Sequence, residues 1–346
     1  MLSDLRVIPQ PLDKEACQSC GLVRRRAVVR PGLFESGYRL YDHAPGPPRE
    51  MARQDSYARW LAAEVPSPPA SILDLGCGNG SLLLALRQLW PHVVLRGIDP
   101  SPESSERARV AGIDVLCGHA GTTCAEASDL VISVNVIEHV ESPVDFLRSI
   151  GTFASPIASM ILVCPDGERA WLELLFADHL WSFAATHIAR LALAAGLGVA
   201  GSTTAPPDLG PIRLFRLTRH HRADVPPCAP DDLVGNKRRY LQAWSLLEQD
   251  LLARTAAAPS LACFGMGETA ALLRTYAPEV WSRVKMCLAD GPEQPTFGDV
   301  PVIDYAGDAV EWPVLLGVRP AAQPALARRL VDSGCSVVRW DDLIAV

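Results

Sequence analysis

Two acid–histidine pairs and two glycine turns are the residues of this chain best suited to chemistry. Glu138-His139 lies in VIEHVES and Asp178-His179 in LFADHLWSF (175–183). An imidazole can change its charge near neutral pH, so His139 and His179 are the candidates for a base or a substrate contact. Glu138 and Asp178 read as solvated or capping acids. The first glycine turn is Leu73-Asp74-Leu75-Gly76-Cys77-Gly78-Asn79-Gly80-Ser81. Glycines let a backbone approach a ligand closely, and a helix beginning there presents unpaired N–H groups. Asp99, in GIDPS (97–101), is placed to accept hydrogen bonds from both hydroxyls of a ribose.

The spacing in this turn selects among ligands. A dinucleotide fingerprint is GxGxxG or GxGxxA. Here Gly76, Gly78 and Gly80 form GxGxG, with Asp74 inside the preceding strand. That acid repels a pyrophosphate and suits a ligand that is cationic at this point. The second turn, Gly265-Met266-Gly267-Glu268-Thr269-Ala270, does follow GxGxxA, and Asp290 ends the next strand. Glu268 inside it argues against a phosphate resting there.

The elements that must hold these groups alternate in the manner of an α/β fold. Apolar runs predict strands at 71–75, 93–98, 114–117, 130–134 and 159–164. Helices are expected near 51–64, 80–90, 102–111, 142–151, 169–176 and 184–196. The runs 198–204 and 211–219 have only a loop between them and predict an antiparallel hairpin, making seven strands. Residues 1–48 are rich in Pro and Arg and read as an arm packing on the next domain. The expected organisation is an arm (1–48), a first α/β domain (49–222), a linker with a connecting helix (223–258), and a smaller α/β domain (259–346).

Composition narrows the function. The net charge is −7 with only short basic clusters, Arg24–Arg26 and Arg219–Arg222, whereas a duplex binder needs a basic stripe. Nucleic acid is therefore not the expected partner. No apolar run approaches the ~20 residues of a membrane span, and the first residues lack the order of a signal peptide, so no membrane association and a cytoplasmic location are expected. The ten cysteines lie mostly in apolar stretches, as reduced buried thiols do. Cys17 and Cys20 form a lone CxxC; a structural zinc needs four ligands, and His43 is the one other plausible neighbour. No metal is expected.

LDLGCGNG with GIDPS, and DLVISVNVIEHVESP (129–143), resemble the first, second and fourth-strand motifs of the class I S-adenosylmethionine-dependent methyltransferases. The resemblance spans roughly 50–220. It implies a seven-stranded Rossmann-like sheet with S-adenosylmethionine as cofactor. Asp74, Gly76, Cys77, Gly78, Asn79 and Gly80 would form the cofactor turn, Asp99 and Pro100 the ribose end, and Asn135 the methionine end. The position that meets the adenine in the family falls at His119-Ala120; His119 either contacts the adenine or faces solvent.

LFADHLWSF also resembles the EHxxxF stretch of the two-domain sugar C-methyltransferases. Their further Tyr and first His align with Phe176 and Ala177 here, so only His179 remains of that set. By the same resemblance Tyr41 stands where relatives place a lid, and Trp181, Trp171 and Phe183 wall a pocket or fill core. Gly265, Gly267 and Asp290, with Gly298–Val302, resemble the C-terminal Rossmann-like domain of those enzymes. That domain either holds a nucleotide or carrier part of the acceptor, or is a scaffold used for contacts such as a homodimer's. The expected function is methyl transfer, at carbon or oxygen, to a small-molecule acceptor such as a nucleotide-linked sugar or a natural-product intermediate. The rival expectations are an NAD-dependent oxidoreductase using the second turn, and a silent cofactor-binding partner subunit.

Overall fold

A computed structural model describes residues 1–3, 5–8, 11–26, 48–219, 232–292 and 294–344. The chain forms two compact units, one of Pro11–Arg169 with Ala177–Val234, the other of Met1–Gln10, Ala170–Phe176 and Gly235–Val346. Tyr41 and His43 lie outside the described residues, as do residues 223–231 of the expected linker.

The first unit begins with β1 (Lys14–Ala16) and β2 (Val23–Arg25), followed by α1 (Pro48–Ala63). It continues through β3 (Ser71–Leu75), α2 (Ser81–Leu89), β4 (Val94–Asp99), α3 (Pro102–Val110), β5 (Asp114–Cys117), β6 (Ser128–Val134), α4 (Pro143–Phe153) and β7 (Ala154–Pro165). After β8 (Trp181–Ser182) and α5 (Ala185–Ala194) it closes with the hairpin β9 (Gly198–Thr204) and β10 (Ile212–Thr218). Seven of these strands form one sheet in the order β5-β4-β3-β6-β7-β10-β9. β3 to β7 are parallel, while β10 runs antiparallel to both β7 and β9.

Residue types explain this arrangement. Parallel strands are covered on both faces and read as continuous apolar runs, as SILDL does. Alternate residues then face opposite layers: Ile72 joins the cluster containing Leu61, Leu83 and Leu86, while Leu73 and Leu75 join the one containing Leu147, Ile150 and Phe215. Two crossover helices start on a Ser-Pro pair. Ser101 Oγ accepts the Ser104 N–H at 3.2 Å, and Ser142 Oγ accepts that of Asp145 at 3.4 Å. Each proline sits at the start of its helix, where a missing N–H costs nothing. Chain order reverses between β3 and β6, and in open α/β sheets ligands bind at the carboxyl end of the strands flanking such a point.

Part of the arm forms strands that its composition did not suggest. β1 and β2 pair as a hairpin, and β2 pairs with β8 to make a three-stranded sheet. Cys17 and Cys20 flank the hairpin turn without a disulfide between them, and the Gly21 N–H donates to Cys17 O at 2.8 Å.

The long helix α6 (Leu233–Arg254) leads into the second unit. Its elements are β11 (Leu261–Phe264), α7 (Glu268–Tyr276), α8 (Pro278–Trp281), β12 (Val284–Ala289), β13 (Thr296–Phe297), β14 (Val300–Asp304), β15 (Val314–Leu316), α9 (Gln323–Asp332) and β16 (Val337–Val338). They build a six-stranded sheet, β13-β14-β12-β11-β15-β16, parallel except at β13. Trp340 is wholly buried there, with its indole N–H on Leu316 O at 2.8 Å. The expected helix at 169–176 is instead a short 3₁₀ turn, Leu172–Leu175, buried on every side within this unit. The Tyr276 hydroxyl donates to its Leu175 carbonyl at 2.6 Å.

Candidate active site

The carboxyl edge of β3, β4 and β6 gathers the cofactor residues expected from sequence. Asp99, at the end of β4, points back at the glycine turn: its Oδ2 accepts the Gly78 N–H at 2.8 Å and its Oδ1 the Ser101 N–H at 2.9 Å. The Gly76 and Cys77 N–H groups both donate to Ile98 O, at 2.7 and 3.3 Å, so the turn is stitched to β4 three times. Gly76 has φ +84°, and a Cβ there would lie 2.3 Å from Val136 Cγ2; both facts require glycine. Asn79 Oδ1 accepts the Ser81 N–H at 3.1 Å and starts α2.

Asp74 is almost wholly buried under this turn. Burial, and then the charge of Asp99, push its carboxyl up to about 8. Burial also raises Asp99, opposed by the N–H groups of Ser101 and Gly78 and by nearby His119. The Cys77 thiol is buried and held well above the usual thiol range, first by burial and then by the two acids, so it is packing rather than a nucleophile. His119 is exposed, and its carbonyl accepts the N–H groups of Thr122 and Thr123; Ala120, next to it in sequence, and Pro100, next to Asp99, are half-buried.

Asn135 follows β6 with φ +55°, a conformation asparagine tolerates better than most residues. Its Nδ2 donates to the Tyr57 hydroxyl at 3.1 Å. Tyr57, on α1, was not singled out by sequence; only its place on an apolar helix face pointed to it. The 3₁₀ turn Ile137–His139 comes next and carries Glu138, 1% exposed, and His139.

His139 and His179 come together from two loops. Their rings meet edge-on, with centroids 4.8 Å apart at 89°. His139 Nδ1 lies 2.9 Å from the Asp178 carbonyl oxygen. A carbonyl can only accept, so Nδ1 carries the proton and Nε2 keeps its lone pair. Burial, and then His179, push His139 down to about 4. The loops are joined again by the Trp181 indole N–H on Val140 O at 2.8 Å. Trp181 stacks on Phe183 at 6.1 Å and is half-buried, a partial wall; Phe183 is core.

In the second unit Gly265 has φ +116°, and a Cβ there would strike Gly317 O at 2.6 Å, whereas Gly267 is extended with open space around it. Asp290 is held by Arg329 through two hydrogen bonds of 2.7 and 2.6 Å. That guanidinium lies over the rings of Phe264 and Tyr305. Glu268 opens α7 and pairs with Arg319 at 3.3 Å.

Residues 49–200 match the family model described as a methyltransferase domain. A trans-aconitate 2-methyltransferase of Rhodococcus jostii (strain RHA1) is 48% identical over 46 residues, covering 13% of this chain and 18% of the relative. Another of that name from Mycobacterium sp. (strain KMS) is 35% identical over 97 residues, covering 28% and 38%. The chain thus spans less than half the length of these curated relatives. A solved mitomycin 7-O-methyltransferase aligns with a TM-score of 0.44 at 23% identity, covering 49% of this chain and 54% of its own. Residues 49–200 are therefore identified as a methyltransferase domain, within a seven-stranded Rossmann-like sheet. S-adenosylmethionine is the cofactor of that class of domain. The Gly76–Gly80 turn fits it: Gly76, Gly78 and Gly80 all take positive φ at the carboxyl edge of the sheet, flanked by Asp99 and by Asp74, whose Oδ1 is buried without a hydrogen-bond partner.

Proposed function

We propose that the chain transfers a methyl group from S-adenosylmethionine to a small-molecule acceptor, at oxygen or at carbon. The observation that carries this reading is the coupling of Asp99 to the Gly78 N–H. It fixes a carboxylate over the glycine turn while leaving each oxygen a free lone pair for a ribose hydroxyl. Asp74 serves the ammonium end of the cofactor, and Asn135 lies beside its methionine part. Transfer from a sulfonium is an in-line displacement, so the protein's main work is to align two reactants and keep water out. His139 and His179, just beyond Asn135 in the chain fold, contact the acceptor end.

A nucleotide-linked sugar or another natural-product intermediate remains the acceptor class favoured by the two-domain resemblance, and a small molecule fits the acidic balance of the chain better than nucleic acid. No helix among the described residues is long and apolar enough to cross a membrane. In the second unit both oxygens of Asp290 already accept from Arg329. This favours a scaffold role, including contacts of a homodimer, over a grip on a nucleotide. The test is turnover: S-adenosylhomocysteine should accumulate when the protein meets its acceptor in a panel of hydroxylated and 1,3-dicarbonyl small molecules. Cofactor binding with no product from any member of a broad panel would return the chain to a silent partner subunit.

A further inference from the structure

We infer that Glu138, His139 and His179 bind a divalent transition-metal ion of the Zn²⁺ class, and that this ion is what meets the acceptor. The three side chains bring two imidazole nitrogens and one carboxylate oxygen within 4.8 Å of one another. Sequence gave no hint of this, because Glu138 looks like a surface acid until the fold buries it. The inference rests on the methyl-transfer reading only for what the ion does, not for whether it binds.

The donor set is specific. Two histidines and one carboxylate suit Zn²⁺ and its neighbours rather than Mg²⁺ or Ca²⁺, which prefer oxygen. Three protein ligands leave a coordination position open, as catalytic rather than structural sites do. With metal–ligand bonds of ~2.0–2.2 Å at tetrahedral angles, donors on one ion lie about 3.4 Å apart, so a pair as wide as 4.8 Å must close by about 1.4 Å, within reach of side-chain rotation.

The surroundings match what such ligands need. A metal-bound histidine commonly donates its other ring N–H to a backbone carbonyl, which fixes tautomer and orientation. His139 does this through Nδ1 to Asp178 O at 2.9 Å, which leaves Nε2 as its ligating nitrogen. The two ligand loops are clamped by the Trp181–Val140 hydrogen bond of 2.8 Å. The loop of His179 is fixed further by the Arg25 N–H on Leu180 O at 2.8 Å. A cation among them offsets the cost of burying the Glu138 carboxylate. Its open position would take one acceptor oxygen and make an acceptor hydroxyl more acidic, which points to hydroxylated acceptors.

The test uses untagged, chelator-treated full chain with Cys17 and Cys20 both changed to serine, which removes the CxxC as a competing ligand pair. Co²⁺ is titrated and its visible absorption recorded, then displaced with Zn²⁺. One equivalent should bind with a visible spectrum of few nitrogen and oxygen ligands and no sulfur-to-cobalt charge transfer. His139→Ala, His179→Ala and Glu138→Gln should each weaken Co²⁺ binding by more than the ~10–100-fold that losing an outer partner costs. S-adenosylhomocysteine calorimetry on the same samples reports whether each variant is folded and keeps the two readings apart. A protein that binds S-adenosylhomocysteine but shows no stoichiometric Co²⁺ spectrum overturns the metal site and leaves the cofactor reading standing. So does a spectrum unchanged in His139→Ala and His179→Ala. Metal binding without S-adenosylhomocysteine binding would instead overturn the cofactor reading.

Discussion

The Asp99 carboxylate accepts the amide proton of Gly78 across 2.8 Å, joining the end of the second strand of the sheet core to the middle of the glycine turn. One residue therefore shapes the turn and offers its remaining lone pairs to a ligand. The fold constrains both partners. Gly78 has φ +54°, and Asp99 is anchored a second time by Ser101, which also caps the next helix.

Asp74 makes the unliganded protein sensitive to alkali. Its carboxyl is raised from 3.8 to about 8 by burial and by Asp99, so the folded state holds the proton more tightly than the unfolded one. The stability this contributes is complete below 3.8 and is lost as pH climbs toward 8. Asp74→Asn should therefore melt above the unsubstituted chain at pH 8.5, with the gap closing near pH 4. Melting curves across that range check it, and a gap that widens in acid would contradict the assignment.

Gly76 carries two separate demands, a positive φ and the closeness of Val136. Gly76→Ala should cost ~1–2 kcal/mol from backbone conformation alone, and more from the side-chain clash. Adding Val136→Ala should recover the second part only. Denaturant unfolding of the single and double variants measures both parts; full recovery in the double variant would mean the backbone demand is absent.

Asp290→Ala should leave S-adenosylhomocysteine affinity unchanged and shift Tm by no more than about 2 °C, because an exposed ion pair contributes ~0–1 kcal/mol. Calorimetry with NADH and with a nucleoside diphosphate should give no heat in either form. Saturable heat that Asp290→Ala abolishes would make the second glycine turn a nucleotide site.

Strands were legible wherever an apolar run was short and bounded, as at 71–75, 114–117 and 198–204, each of which matches its observed strand. The terminal hairpin followed from the short loop between two such runs. The segment 169–176 misled because Leu172, Leu174 and Leu175 are all buried and so is Glu173 between them, and periodicity cannot then separate a helix from a buried turn. The hairpin of the arm stayed hidden because its strands are three residues long and are completed by Trp181–Ser182, far along the chain. Asp74, the three glycines and Asp99 could be read together since consecutive elements of a parallel sheet deliver them to one edge. The meeting of Glu138 and His139 with His179 could not, since it depends on how two loops fold over that edge.

The most direct test is calorimetric titration of S-adenosylhomocysteine into the full chain and its Asp99→Asn and Asp99→Ala variants. The site described here predicts one molecule bound per chain, an affinity ~10–100-fold weaker in Asp99→Asn, as expected for losing hydrogen bonds to a charged acceptor, and a further loss in Asp99→Ala. No heat with the unsubstituted chain, or equal affinity in all three proteins, would contradict it.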